Sequence, residues 1–386
     1  MRIICAPDSF KESMSAAEAA AAMARGVRRV LPEAEIVQVP LSDGGEGFLE
    51  SLAVALDARR IQVEVPDALG RPVRAEFALT DDGLAVIEMA RAAGLEQIAP
   101  PDRDIRQSST AGVGRLVTAA LDAGASHLVV GLGGSATNDG GAGLLDALGV
   151  RYLDAEDRRL SPTPAGLATV ATVDASGLDP RLGTVEVDVA CDVANPLCGP
   201  DGASAVFGPQ KGATAEDVPV LDALLARLSR LDGGADVAGR PGAGAAGGLG
   251  YALLHRLHAR MRPGIELVTE TVGLADAVRG ADLVLTGEGS VDAQSLAGKA
   301  PAGVAAIARA AGVDTVILAG RVAPDADLLL EHGVLALVPI LPRAMDLTEA
   351  LATGQDNLER AAAMVVRLVF RRSPGSQPGQ AECPPA

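Results

Sequence analysis

Lysine is nearly missing from this chain. Of 33 basic residues only Lys11, Lys211 and Lys299 are lysine, and the remainder are arginine. Where lysine survives such a bias, the position calls for a compact ammonium acting as a point charge on phosphate or carboxylate, not for a guanidinium fork. Asparagine is as scarce, at Asn138, Asn195 and Asn357. All three lysines and two of the three asparagines fall in glycine- or proline-rich connections after apparent strands, which favours function over drift.

No basic block occurs, and 50 acidic residues against 33 basic ones give a formal charge of −17. Nucleic acid and anionic membrane are thereby excluded as natural partners. An acidic protein that handles an anion must gather its few cations, or its backbone N–H groups, in one cleft. No apolar run reaches bilayer length, and the opening Met-Arg-Ile-Ile-Cys-Ala-Pro is too short for a signal peptide, so a soluble cytoplasmic protein is expected. Cys5, Cys191, Cys198 and Cys383 form no CxxC pair and no disulfide framework; they read as reduced thiols, with Cys5 and Cys191 on buried strands. No repeat of solenoid period is present. With 386 residues and 48% hydrophobic content the chain is ordered and long enough for two domains.

A β-α rhythm opens the chain. Ile3 to Ala6 reads as a strand, and the capping box Ser15-Ala-Ala-Glu18 starts a helix. Glu35 to Val39 is the next strand, and a helix follows near Phe48 to Leu56. From about 60 to 90 the pattern changes to short alternating strands around a Gly70-Arg71-Pro72 turn, with Leu84 to Met89 as another strand. Then come a helix over Gly112 to Ala123, a strand over Leu128 to Gly131, a helix near Leu144 and strands near Val185 to Cys191. The βαβ rhythm returns with strands Leu283 to Thr286, Val316 to Ala319 and Val334 to Ile340, a helix over Pro301 to Ala311 and one from Leu347 to Phe370. Buried-strand runs are expected at both ends and not in the middle. The expected fold is therefore α/β, a discontinuous parallel-sheet domain from both termini (1–70 with 281–372) with a second α/β domain inserted (71–280) and their cleft as the site. Residues 373–386 are expected to form a disordered tail.

Four segments can carry chemistry. In Gly131-Leu-Gly-Gly-Ser-Ala-Thr-Asn-Asp-Gly-Gly141, glycines such as Gly133 and Gly134 bring backbone N–H groups close to an anion. Ser135 and Thr137 add hydroxyls, and Asp139 can hold a metal or orient a water. It is neither a Walker A loop nor a serine-hydrolase elbow; a structural turn and helix cap is the plainer alternative. The second is the pair Asp8-Ser9-Phe10-Lys11 and Asp43-Gly44-Gly45-Glu46, both after strands. Lys11 can neutralise carboxylate or phosphate, and Asp43 or Glu46 can accept a hydroxyl proton or bind Mg²⁺. Helix capping by Asp8, Ser9 and Asp43 is the alternative. Third, the run from Asp188 presents Asp192 and Asn195 at a strand mouth, with Gln210-Lys211-Gly212 soon after. Fourth, Thr286-Gly-Glu288-Gly-Ser290-Val-Asp292 with Lys299 joins two acids and a lysine, suited to Mg²⁺ and polyphosphate or to a helix start. Gly242 to Gly247 fits G-x-G-x-x-G but lacks the preceding strand and the ribose-binding acid. His255 and His258 lack a third metal ligand.

Together these segments resemble the glycerate kinase family. The resemblance covers about residues 1 to 370. It rests on APDSFKES, SDGGEG at 42–47, IEMARAAGL at 87–95, GLGGSATNDGGAG at 131–143, ACDVANPL at 190–197, QKGAT at 210–214, GAGAAGGLG at 242–250, and TGEGSVD with GKAP, all in the family's order. It implies ATP and Mg²⁺ as cofactors and D-glycerate as the small-molecule substrate, with a phosphoglycerate as product, the 2-phosphate expected in this branch and the 3-phosphate its alternative. It also implies a Rossmann-like domain from the two termini. Ser42 and Phe48 depart from the commoner alanine and threonine, and Ser290 stands where arginine is frequent; Lys299 is the substitute charge if that arginine touches phosphate. On this reading Lys11 and backbone amides hold the glycerate carboxylate or the transferring phosphate, and Asp192, with Asp43 as rival, deprotonates the attacking hydroxyl. Asp8, Ser9, Glu46, Asn195 and Lys211 bind substrate; Gly133, Gly134, Ser135, Thr137, Asn138 and Lys299 bind nucleotide; Asp139, Glu288 and Asp292 hold the metal. An NAD-dependent oxidoreductase using Gly242 to Gly247 and a non-catalytic ligand sensor are the rival classes. The oligomeric state, monomer or homodimer, is left open.

Overall fold

Ser15 and Glu18 exchange the two hydrogen bonds of the capping box and start the helix Ala16–Arg28, whose alanine-rich face is buried. That helix packs on one face of a five-stranded sheet. The computed structural model describes residues 1–42, 44, 45, 47–296 and 299–370. Thirteen strands occur among them: β1 (Arg2–Cys5), β2 (Glu35–Gln38), β3 (Arg59–Pro66), β4 (Pro72–Leu79), β5 (Leu84–Glu88), β6 (His127–Gly131), β7 (Arg151–Leu153), β8 (Thr172–Asp174), β9 (Glu186–Ala190), β10 (Arg260–Arg262), β11 (Leu283–Val291), β12 (Thr315–Val322) and β13 (Val334–Pro339). The first sheet has the order β13-β12-β11-β1-β2 and is parallel throughout, so it draws on both ends of the chain.

The second sheet has the order β10-β9-β6-β5-β4-β3. Its β10, β9, β6 and β5 are parallel, while β3, β4 and β5 form an antiparallel meander. β7 and β8 make a small antiparallel pair. The chain is thus a mixed α/β fold with parallel sheets.

Period-two alternation sends the two faces of each strand into different cores. Ile3, Cys5, Leu283 and Leu285 pack with the helices Ala16–Arg28 and Gly354–Val369. Their neighbours Ile4 and Val284 share a core with Val86 and Val129 of the other sheet. Between the two sheets lie the helices Phe48–Ala55 and Gly264–Thr271, which contribute Phe48, Leu52, Ile265 and Val268. One apolar layer therefore joins the sheets and fixes their facing strand ends.

Three expectations are corrected. Buried strands are not confined to the ends, because β5, β6 and β9 are each almost wholly buried. Apolar layers on both faces of these middle strands give them the burial of a parallel sheet. The Thr286–Val291 segment is strand, not a loop before a helix: β12 extends alongside it, pairing Val291 with Val322. The last helix is two, Leu347–Ala352 and Gly354–Val369, because the Ser13 hydroxyl donates to the Leu351 carbonyl at 2.8 Å where the chain turns. The expected tail lies outside the described residues, beyond 370. No helix among the described residues is long and apolar enough to cross a membrane.

Candidate active site

The loops after β2 and β6 touch across the gap between the sheets. Gly133 N–H donates to the Gly44 carbonyl at 3.3 Å. A Cβ on Gly133 would come within 2.7 Å of Gly45 Cα, so only glycine lets the two backbones approach this closely. The loops after β1, β5 and β9 open on the same side, since parallel strands bring their C-terminal ends to one edge. Two cavities lie here, one lined by Gly44 and Gly45 and the other by Gly47.

The first, of about 430 Å³, is lined by Gly133, Gly134, Ser135, Asp192 and Lys211 on its polar side, and by Leu95, Phe207 and Ala246 on its apolar side. Lys211 is only 2% exposed. Its Nζ donates to Ser135 Oγ and to the Thr137 carbonyl, both at 2.7 Å. Burial pulls its pKa down to about 7, and the Asp139 charge opposes that fall. Asp192 Oδ1 accepts from the Gly264 N–H at 2.8 Å, which ties the end of β9 to the start of the helix Gly264–Thr271. Cys191 also lines this cavity, one residue past β9 and half-buried. Burial raises its thiol pKa, so it is a weak nucleophile.

The second cavity, of about 730 Å³, gathers Asp8, Ser9, Lys11, Arg91, Glu288 and Lys299. Lys299 Nζ stands 3.7 Å from Glu288 Oε2, and Ser295 Oγ donates to Glu288 Oε1 at 3.0 Å. Asp8 Oδ1 accepts from the Ser9 N–H. Arg91 Nε lies 3.5 Å from Glu88 Oε1. Three cations, Lys11, Arg91 and Lys299, share this cavity with the carboxylates of Asp8 and Glu288, an arrangement able to neutralise a polyphosphate while leaving acids for a hard cation.

The expected site residues thus divide. Lys11 and Asp192 do not line one cavity. Lys11 keeps company with Asp8, Ser9, Glu288 and Lys299, whereas Asp192 sits with the glycine-rich loop and Lys211. Only the first half of that loop faces the cavity. Thr137 and Asn138 are fully buried beneath it, with Asn138 Nδ2 donating to Ser204 Oγ at 2.9 Å. Asp139 is wholly buried, and its oxygens accept from Thr110 N–H and Oγ1, Gly141 N–H and Gly143 N–H. Burial pushes its carboxyl pKa up against the pull of those donors. It is a structural acid, and a metal in the cleft has no access to it. Asn195 closes its own loop by donating to the Asp201 carbonyl, and Asn195 and Asp292 line neither cavity. Asp43 and Glu46 lie outside the described residues.

The Gly242–Gly250 run is no dinucleotide turn. Ala246, Gly247 and Gly248 all have left-handed backbone, a kink inside the helix Ala245–Arg256 that seats this segment against the glycine-rich loop. A Cβ on Gly247 would stand 1.9 Å from the Thr137 carbonyl oxygen. The oxidoreductase reading falls with that geometry. His255 stacks on Tyr251 and bonds to the Asp232 carbonyl, and no group of three metal-ligating side chains occurs among the described residues.

Sequence reasoning gave no role to Glu88, Arg91 or Thr110. Glu88 is buried and accepts from the Leu49 N–H at 3.1 Å. The signal for the first two was a pair of opposite charges three apart in an otherwise apolar IEMARAAGL run. Nothing local marked Thr110.

Residues 3–370 match the model of the glycerate kinase family. The chain is 47% identical to a glycerate kinase of Bacillus subtilis strain 168 over 94% of its own length and 96% of that protein's. It is 42% identical to the glycerate 2-kinase of Escherichia coli K12, with the same two coverages. A crystal structure assigned as glycerate kinase 2 from Salmonella typhimurium LT2 superposes with a TM-score of 0.87 at 44% identity, covering 96% of this chain and 98% of that one. With family, sequence relatives and fold in agreement, this chain belongs to the glycerate kinase family.

Proposed function

We propose that this chain transfers the γ-phosphoryl group of ATP to the 2-hydroxyl of D-glycerate, with the acceptor in the smaller cavity and the triphosphate in the larger. The observation that carries this reading is the contact of Gly44 with Gly133, which sets the two cavities on either side of one short segment. The assignment of cavities reverses the expectation that the glycine-rich loop takes the nucleotide. A base must reach the acceptor hydroxyl, and Asp192 lines the smaller cavity. Three cations line the larger one, where a triphosphate needs them.

In this mechanism Lys211 and the N–H groups of the Gly133–Gly134 turn hold the glycerate carboxylate. Asp192 takes the proton from the attacking hydroxyl. Lys11, Arg91 and Lys299 neutralise the phosphates and the charge that grows on the leaving oxygen, so positioning and electrostatics supply most of the rate. Mg²⁺ supplies further charge neutralisation across the phosphates when bound. Asp8 and Glu288 suit it chemically, because Mg²⁺ takes one or two carboxylates and completes its shell with waters and phosphate oxygens. The terminal-strand sheet and the middle-strand sheet act as two domains whose cleft holds both substrates, in a cytoplasmic enzyme.

The test is incubation with ATP, Mg²⁺ and D-glycerate, with ³¹P NMR to identify the isomer. 2-Phosphoglycerate together with ADP is expected. Glycerate binding without ADP formation would instead favour a non-catalytic sensor.

A further inference from the structure

We propose that above neutral pH Lys211 lines the glycerate-free site as the neutral amine and takes a proton from solvent as the acceptor anion arrives, so that glycerate binding is coupled to proton uptake. This rests on the assignment of glycerate to the smaller cavity. It names the group by which an acidic protein makes room for an anion.

The argument begins with what surrounds Nζ. Two neutral oxygens, Ser135 Oγ and the Thr137 carbonyl, accept from it, and no carboxylate hydrogen-bonds to it among the described residues. Those two bonds use both N–H groups of a neutral amine. An ammonium has a third N–H, left to the cavity that Lys211 lines. A buried charge with only neutral partners is costly, and the cost disappears when an anion supplies the missing partner. The charged and titratable groups around it do not alter this. Asp139, below the loop and held by four donors of its own, favours the ammonium by its charge, but burial of Lys211 outweighs it. Arg103 donates to the Gln210 carbonyl and adds positive charge, which disfavours the ammonium. Across the cavity, Asp192 is exposed and tied to Gly264 N–H, and the Cys191 thiol is held protonated. The helices Ala203–Phe207 and Ala245–Arg256 face it with Phe207 and Ala246, neither of them titratable. The depressed pKa of about 7 agrees with the geometry.

On binding, the Nζ lone pair accepts a solvent proton. The resulting third N–H then donates to the glycerate carboxylate. The free site thus avoids an unpaired buried charge, and the occupied site gains a charge-assisted hydrogen bond.

The experiment is isothermal titration calorimetry of glycerate, alone and with a non-hydrolysable ATP analogue present, in sulfonate and amine buffers of differing ionisation enthalpy. The dependence of heat on buffer enthalpy gives the protons taken up. Uptake is expected to rise from about a tenth of a proton at pH 6 to nearly one at pH 8.5, as linkage requires for a group titrating near 7. Lys211→Arg, permanently charged, is expected to bind glycerate without that uptake. Binding with no uptake, uptake that shrinks as pH rises (the mark of a carboxylate), or uptake retained in Lys211→Arg would each overturn the proposal and leave the kinase reading intact. Absence of glycerate binding in the wild type would overturn both. Should the variant not fold, the pH profile of the wild type decides alone.

Discussion

Glu88 at the end of β5 accepts a 3.1 Å hydrogen bond from the backbone N–H of Leu49, at the start of the helix that follows the Gly44–Gly47 segment. One buried carboxylate thereby anchors the segment between the cavities to the opposite sheet, and its other oxygen faces Arg91 of the larger cavity. Glu88→Ala leaves a helix-terminal N–H without its acceptor. A loss of about 1–3 kcal/mol of stability is expected, read by urea denaturation, with a rise in KM for ATP. An unchanged midpoint would mean that water replaces the carboxylate at no cost.

Asp192→Asn removes the proposed base but keeps an oxygen for the Gly264 N–H. Turnover should fall by about 10²–10⁴, the usual worth of a positioned general base, with nucleotide affinity unchanged. Steady-state kinetics beside a fluorescent-nucleotide titration separates the two effects. Normal turnover removes Asp192 from the mechanism.

Lys11→Ala tests which cavity holds which substrate. Loss of a charge-assisted bond is worth about 1.5–3 kcal/mol, so KM for ATP should rise about 10- to 150-fold while KM for glycerate holds. If the glycerate constant moves instead, the two assignments must be exchanged.

Gly247→Ala is expected to cost about 2–4 kcal/mol, adding the left-handed penalty at φ 67° to overpacking against the Thr137 carbonyl. A thermal melt reports it. Since Thr137 also accepts from Lys211, glycerate affinity should fall in any variant that still folds.

Lys211 predicts a pH dependence of stability. Its pKa drops from the ordinary 10.5 to about 7 on folding, so between those values the unfolded chain binds more protons than the native one. This group therefore makes stability rise with pH across that window, by up to about 1.4 kcal/mol per pH unit, and its cost is complete below about 7. Unfolding curves from pH 6 to 10 should show the slope, and Lys211→Met should flatten it.

The lysines were marked as candidates by the sequence itself. Lys11, Lys211 and Lys299 all line one cavity or the other, as their survival among arginines suggested. The asparagines were less telling, because Asn138 is buried under its loop and Asn195 closes a turn. Asp139 was misread for a physical reason: an acid in a glycine-rich loop looks the same in sequence whether it faces a cleft or the N–H groups of Thr110, Gly141 and Gly143. β11 was read too short because glycines signal a turn locally, while pairing with β12, remote in sequence, holds them extended.

By itself the sequence determined the α/β rhythm, the absence of a basic surface, the order of the motifs and the family they belong to, since each is carried by local periodicity or by residue identity. Tertiary structure alone decided that Lys11 and Asp192 stand in separate cavities, that half of the glycine-rich loop is interior, and that Glu88 ties its sheet to the helix Phe48–Ala55. Such relations depend on how far the helices between the sheets hold the strand ends apart, a distance set by packed side chains distant along the chain and so invisible to any local pattern.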